Sequence, residues 1–133
     1  MKRVLLDTSA YSLLMRGGAE VAKLLDAADE VFVPVVMIGE LLAGFKKGRQ
    51  EQRNRQILED FLAVPRVGIL SVDDETAERY AVIQDYLRRR GMPIPTNDLW
   101  IAACAMQHGL ILITGDGHFL NVPQVVTELV PAR

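Results

Sequence analysis

The sequence predicts an α/β domain in which a central parallel β-sheet is flanked by α-helices. Three observations lead there. Short apolar runs of strand length recur along the 133 residues. Each is separated from the next by a stretch with apolar residues at helical spacing, the alternation expected of a parallel sheet covered on both faces. No repeat, low-complexity tract or long linker interrupts the pattern, so residues 1–133 read as a single domain.

Residues 2–6 form an apolar run that stops at Asp7, which reads as a buried strand. Residues 9–16 read as a helix ended by Gly17-Gly18, and 19–29 as a second with Val21, Leu24, Leu25 and Ala28 on one side. Val31 to Val33 is a strand ended by Pro34, 35–47 a helix stopped by Gly48, and 49–63 another that is polar first and apolar later. Residues 67–70 form a third strand. The long helix 73–90 carries Asp73, Asp74 and Glu75 in its first turn and Arg88, Arg89 and Arg90 in its last, complementing the helix dipole at both ends. Gly91, Pro93 and Pro95 mark a loop. Residues 97–108 form a helix for which Thr96 or Asn97 is the expected cap. Residues 110–113 form the next strand, and 125–127 are the expected last one.

Half the residues are hydrophobic, enough for a core without disulfides or a structural metal. Cys104 is the only cysteine, so there is neither a disulfide framework nor a zinc-ligand spacing, and a reducing compartment, the cytoplasm, is expected. Val4-Leu5-Leu6 is far too short for a signal peptide or membrane span. The net charge of −2 argues against a general nucleic-acid binder. If four acids are gathered at one metal site, however, the remaining thirteen face fifteen bases and the rest of the chain is positive. Two basic stretches stand out, Lys46 to Arg55 and Arg88 to Arg90. Read plainly they are solvated helix ends; read functionally they are candidate phosphate contacts.

In open parallel sheets, functional groups gather beyond the carboxyl ends of the strands. Asp7 directly follows the first strand, and Asp116 follows 110–113 after Thr114-Gly115. Each acid alone is equally readable as a helix cap. Glu40 has Val36, Met37, Ala43 and Gly44 as helical neighbours, so its carboxylate lies on or beside the apolar stripe. There it needs a cation or strong donors, and an ordinary ion pair would serve. Ala43 and Gly44 leave space one turn away for a metal or substrate. Asp98 opens a helix whose matching face continues through Ile101, Ala102 and Ala105. Four carboxylates brought together repel one another unless a hard cation neutralises them, which suits Mg²⁺ or Mn²⁺ and phosphodiester hydrolysis. No Walker loop, GxGxxG or HExxH is present. Cys104, within an alanine-rich helix, reads as a small buried apolar residue.

The segments LLDTSAYS (5–12), MIGELLAG (37–44), PTNDLWIAACA (95–105) and LITGDGHF (112–119) resemble, in order and spacing, the four acidic motifs of the PIN-domain family. The likeness is to the VapC-like ribonuclease toxins of prokaryotic toxin–antitoxin pairs. It implies a PIN-like three-layer fold and Mg²⁺- or Mn²⁺-dependent endonuclease activity on RNA. It also implies inhibition by a VapB-like antitoxin, and a homodimer. Carried over by position, Asp7, Glu40 and Asp98 hold the metal, and Asp116 completes the site or positions the attacking water. Thr114 orients a neighbouring carboxylate. His118 departs from the pattern, since many relatives carry a further aspartate there, which puts a fifth carboxylate ligand in doubt. Arg49, Arg53, Arg88, Arg89 and Arg90 are the candidate RNA contacts. An antitoxin segment is expected near helices 35–47 and 49–63, where Leu41, Leu42, Phe45, Leu58, Phe61 and Leu62 exceed what one buried face needs.

Two competing readings are weaker. A receiver or phosphatase domain wants a second acid near Asp7 or a late lysine, but Thr8 and Ser9 follow Asp7 and no lysine lies beyond Lys47. A PIN fold kept only for binding would not need all four acids.

Overall fold

The computed structural model describes residues 2–131. Five parallel strands, β1 (Arg3–Leu6), β2 (Glu30–Pro34), β3 (Val67–Leu70), β4 (Ile111–Thr114) and β5 (Thr127–Leu129), form one sheet in the order β3-β2-β1-β4-β5. The chain adds strands on one side of β1 through β3 and then crosses to the other side for β4. The order therefore reverses between β1 and β4, and the crevice beyond their carboxyl ends is the switch point where such sheets bind ligands.

Six helices connect and flank the strands: α1 (Thr8–Met15), α2 (Ala19–Ala27), α3 (Val35–Lys47), α4 (Glu51–Leu62), α5 (Asp74–Arg89) and α6 (Thr96–His108). A 3₁₀ turn, Gly117–Asn121, follows β4. Consecutive residues Val4, Leu5 and Leu6, and likewise Leu112, Ile113 and Thr114, are buried. Neighbouring side chains on a strand point to opposite faces, so the two central strands are covered on both. None of the helices in the described residues is long and apolar enough to cross a membrane.

The elements agree with the sequence reading to within a residue or two at most ends, and the differences have local causes. Helix α1 begins at Thr8 because Asp7 takes the N-cap, its Oδ1 accepting from the Ala10 amide at 2.8 Å. Helix α6 begins at Thr96 behind Pro95, with no side-chain cap. Neither Thr96 nor Asn97 caps it, since Pro95 already supplies the extended residue before the first turn. Helix α4 starts at Glu51, leaving Arg49 and Gln50 in the connection. The last strand is 127–129 rather than 125–127, set by pairing of Leu112 with Thr127 and Thr114 with Leu129.

Helices α5 and α6 are pinned by a polar lock. Asp73 caps α5 through the Thr76 amide, and Gln107 on α6 donates to the same carboxylate at 3.0 Å. These donors hold the Asp73 carboxyl below the usual range. The Arg66 guanidinium donates to the carbonyls of Leu25 and Ala28 and so ties the end of α2 to the start of β3. The sheet thus arrives at its carboxyl edge on a rigid, fully packed base.

Candidate active site

Asp7, Glu40, Asp98 and Asp116 line one open cleft of about 490 Å³ at the switch point, together with Thr8, Ser9, Asn97 and His118. Asp7 comes from the end of β1, Asp116 from the residues after β4, Glu40 from α3 and Asp98 from the first turn of α6. Acids 109 positions apart in the chain meet because β1 and β4 are hydrogen-bonded neighbours.

Asp7 is the most constrained of the four, with 3% of its surface exposed. Its Oδ2 accepts from the Thr114 hydroxyl at 2.6 Å across the strand pair, and Ser9 Oγ donates to the same carboxylate at 2.8 Å. Burial pushes the Asp7 carboxyl above its ordinary range. The Thr114, Ala10 and Ser9 donors pull it back, and the charge of Asp98 pushes it up again. One carboxylate both starts α1 and lines the cleft.

Thr114 is fully buried and serves two acids at once. While donating to Asp7, its Oγ accepts from the Asp116 amide at 2.9 Å. Ser9 Oγ in turn accepts from the Gly115 amide at 2.9 Å. A Cβ on Gly115 would fall 2.8 Å from a Leu13 methyl, so a side chain there would have to displace Leu13.

Glu40 sits at the margin of the core, neither buried nor fully exposed. Thr8 Oγ donates to it at 2.6 Å and the Asn97 amide at 3.2 Å. A shallow groove runs on from it along α3, lined by Val36, Gly39, Ala43, Gly44 and Lys47. The small residues leave the space that the sequence anticipates, and a Cβ on Gly39 or Gly44 would meet nothing within 4 Å.

Asp98 and Asp116 are joined by His118. The imidazole Nε2 lies 2.6 Å from Asp98 Oδ2 and Nδ1 lies 2.9 Å from Asp116 Oδ1. Burial raises the Asp98 carboxyl above its usual range. His118 opposes the shift, and the Glu40 and Asp116 charges add to it. Among the described residues no lysine or arginine lines this cleft, and His118 is the one cation-forming side chain in it. An oxygen-rich, acid-crowded donor set with so little internal compensation fits a divalent cation.

Sequence reasoning singled out the four acids and, through the family resemblance, Thr114, which the structure hydrogen-bonds to Asp7, but not the other polar residues around them. Thr8, Ser9 and Asn97 are each adjacent to, or one residue removed from, a predicted acid. The signal for the first two was the run of three polar residues closing an apolar strand, which reads equally well as alternative caps. The proposed RNA contacts do not join the cleft. Arg88 and Arg89 are paired with Asp85 at the exposed end of α5, and the Arg90 guanidinium lies over the Tyr86 ring. Arg49 is exposed between α3 and α4. Arg53 borders a separate groove of about 340 Å³ between α1, α3 and α4, lined also by Tyr11, Met15, Leu41, Phe45 and Ile57. Core packing absorbs Leu58 and partly buries Leu42, Phe61 and Leu62, so the apolar lining of this groove differs from the set expected. The Tyr11 hydroxyl is buried there without a hydrogen-bond partner.

The fold is shared with known proteins. The PIN domain family model matches residues 4–125. The chain is 30% identical over 125 residues to "Ribonuclease VapC4" of Mycobacterium tuberculosis, covering 94% of this chain and 95% of that one. It is similar in fold to a VapBC2 structure from Rickettsia felis bound to a promoter DNA fragment. The TM-score is 0.86 at 21% identity, over 96% of this chain and 98% of that one. It is also similar to VapBC-5 from Mycobacterium tuberculosis, a member of the VapBC family of toxin-antitoxin systems. There the TM-score is 0.73 at 28% identity, over 98% and 99% of the two chains. With a family match over nearly the whole sheet and its cleft, and a VapC relative aligned almost end to end, this chain belongs to the PIN-domain family, in its VapC-like branch.

Proposed function

We propose that the chain is a Mg²⁺- or Mn²⁺-dependent endoribonuclease, a single domain that acts in the cytoplasm as the toxin of a VapBC-type pair. The observation that carries this is the convergence of Asp7, Glu40, Asp98 and Asp116 on one cleft that, among the described residues, no lysine or arginine lines. The VapC name of the relative aligned over 95% of its own length supports the reading of the substrate as RNA.

Asp7, Glu40 and Asp98 would hold the ion, directly or through water. Bound there, it supplies Lewis-acid charge against the phosphodiester and hydroxide near neutral pH. The protein's part is to aim and hold. Thr114 and Ser9 fix Asp7, Thr8 and Asn97 fix Glu40, and the helix around Asp98 is anchored in the core through Ile101, Ala102 and Ala105. Asp116, with 41% of its side chain exposed, would complete the site or position the attacking water. Lys47 on the groove beside Glu40 offers a phosphate contact next to the acids, with Arg49, Arg53 and Arg88 to Arg90 farther along the RNA path.

The groove between α1, α3 and α4 would take a segment of a VapB-like antitoxin. Its apolar floor and its Arg16 and Arg53 border suit a peptide carrying apolar and acidic side chains. The complex formed by the 28% identical relative supports such a partner. A homodimer is the expected assembly.

The test is cleavage of a panel of transfer, ribosomal and messenger RNAs by the purified chain, with Mg²⁺, Mn²⁺ or chelator. Metal-dependent internal cleavage that Asp7→Asn and Asp98→Asn abolish is the expected result. A folded wild-type protein that cuts none of the panel with either ion overturns the proposal.

A further inference from the structure

We propose that His118 is a metal ligand, and that its imidazole nitrogen shifts the preference of the cleft from Mg²⁺ toward first-row transition ions. The inference rests on the reading of the cleft as a divalent-metal site and adds the chemical class of ion it selects.

The turn after β4 does the positioning. Asp116 caps the 3₁₀ turn, its Oδ1 receiving the His118 amide at 3.3 Å, so the two side chains emerge from one tight bend. Both then face Asp98 at the start of α6. One ligand atom from each of Asp98, Asp116 and His118 lies within 4.8 Å of the other two, close enough for a single ion. The ring packs against Phe119, with centroids 5.2 Å apart, and Phe119 is buried to 1% exposure, which anchors the turn in the core. Each ring nitrogen faces a carboxylate. Whichever one binds an ion, the other can donate its N–H to an acid that fixes the ring, the outer-shell arrangement usual for metal-bound histidine.

The chemistry of the donor decides the metal. Mg²⁺ takes oxygen ligands and keeps its waters, so an imidazole gives it little. Mn²⁺, Co²⁺ and Ni²⁺ accept imidazole with affinity rising in that order. A competing role for His118 is that of an internal cation that merely neutralises Asp98 and Asp116. The two roles have opposite consequences. Removing a nitrogen ligand weakens transition ions selectively, whereas removing an internal cation strengthens every divalent ion alike.

The experiment is calorimetric titration of the full chain with Mg²⁺, Mn²⁺, Co²⁺ and Ni²⁺, for wild type, His118→Asn, His118→Asp and Asp98→Asn. It is paired with pulsed electron paramagnetic resonance of the Mn²⁺-loaded protein. In His118→Asn the Ni²⁺-to-Mg²⁺ affinity ratio should fall by at least about tenfold, the scale of lesser changes around metal sites. The loss should grow from Mn²⁺ to Ni²⁺. His118→Asp, which restores a charged oxygen donor, should favour Mg²⁺ and provides the comparison if the asparagine variant folds poorly. The wild-type Mn²⁺ spectrum should show a ¹⁴N coupling that survives His108→Asn and disappears with His118→Asn. If binding is abolished by Asp98→Asn but no ¹⁴N coupling appears, or if the ratio is unchanged while all four ions bind more tightly, His118 is not a ligand. If no ion binds the folded wild type at all, the metal reading of the cleft falls with it.

Discussion

Replacing Thr114 by valine keeps shape and burial but deletes the hydroxyl that ties two acids together. In the wild type that hydroxyl donates to Asp7 at 2.6 Å and accepts from the Asp116 amide at 2.9 Å, inside a fully buried side chain. A hydrogen bond to a charged group contributes about 1.5–3 kcal/mol, and leaving the part-buried Asp116 amide unpaired costs about a further 1 kcal/mol. The added methyl group returns at most about 0.8 kcal/mol. The net loss is about 2–3 kcal/mol at neutral pH, or roughly 6–15 °C in Tm for a domain of this size. The Asp7 carboxyl, already raised by burial, should rise further without the Thr114 hydroxyl to hold it down. Circular-dichroism melts at neutral pH with chelator present give the measurement. Thr114→Ser should recover most of the loss, since it keeps the hydroxyl. In an Asp7→Asn background the same valine substitution should cost about 1 kcal/mol less, because a neutral acceptor replaces a charged one. A Thr114→Val protein that melts within about 2 °C of wild type, or a cost that is the same in both backgrounds, would refute the argument that this hydroxyl holds the Asp7 charge.

Three further outcomes are expected. Asp7 and Asp98 both have raised carboxyls, so between 3.8, their unfolded value, and their folded values the native state binds the extra protons and stability falls as pH rises. Metal-free Asp98→Asn should therefore gain on wild type across that window, and added Mg²⁺ should raise the Tm of wild type but not of the variant at neutral pH; parallel melting curves against pH would contradict this. Gly115→Ala pushes a Cβ to 2.8 Å from a Leu13 methyl and 3.6 Å from Ser9 Oγ, and should cost about 1–2 kcal/mol as Leu13 swings away, read in urea midpoints. Charge reversal at both Arg49 and Arg53 should lower RNA cleavage and antitoxin affinity together, and no change in either would remove this surface from both roles.

Much of the architecture was readable because local patterns decide it. Buried strands such as Val4-Leu5-Leu6 and the capped, dipole-complemented helix α5 announce themselves through composition alone. The acids at strand ends followed from the general rule about carboxyl edges. What no local pattern encodes is the strand order. That β4 crosses over to sit beside β1 is a packing outcome, and it alone explains why Thr114 touches Asp7. Likewise His118 reads in sequence as a departure from a family pattern. Its bridge between two carboxylates depends on α6 presenting Asp98 opposite the turn after β4. The arginines show the converse: a cluster of charge is easy to see along the chain, but not that Asp85 pairs with Arg88 and Arg89 and that Arg90 lies over Tyr86, away from the cleft.

The pairing of β1 with β4 also sets when the activity can exist. The contact that orders Asp7 spans 107 positions, and Asp116 follows still later in the chain. A chain growing on the ribosome carries Asp7, Glu40 and Asp98 well before β4 can dock, yet it holds no assembled cleft. Long-range pairings of this kind form late. The cleft cannot assemble until the residues through β4 and Asp116 have emerged. A fragment ending before residue 111 lacks β4, Thr114 and Asp116, and with them one wall of the cleft.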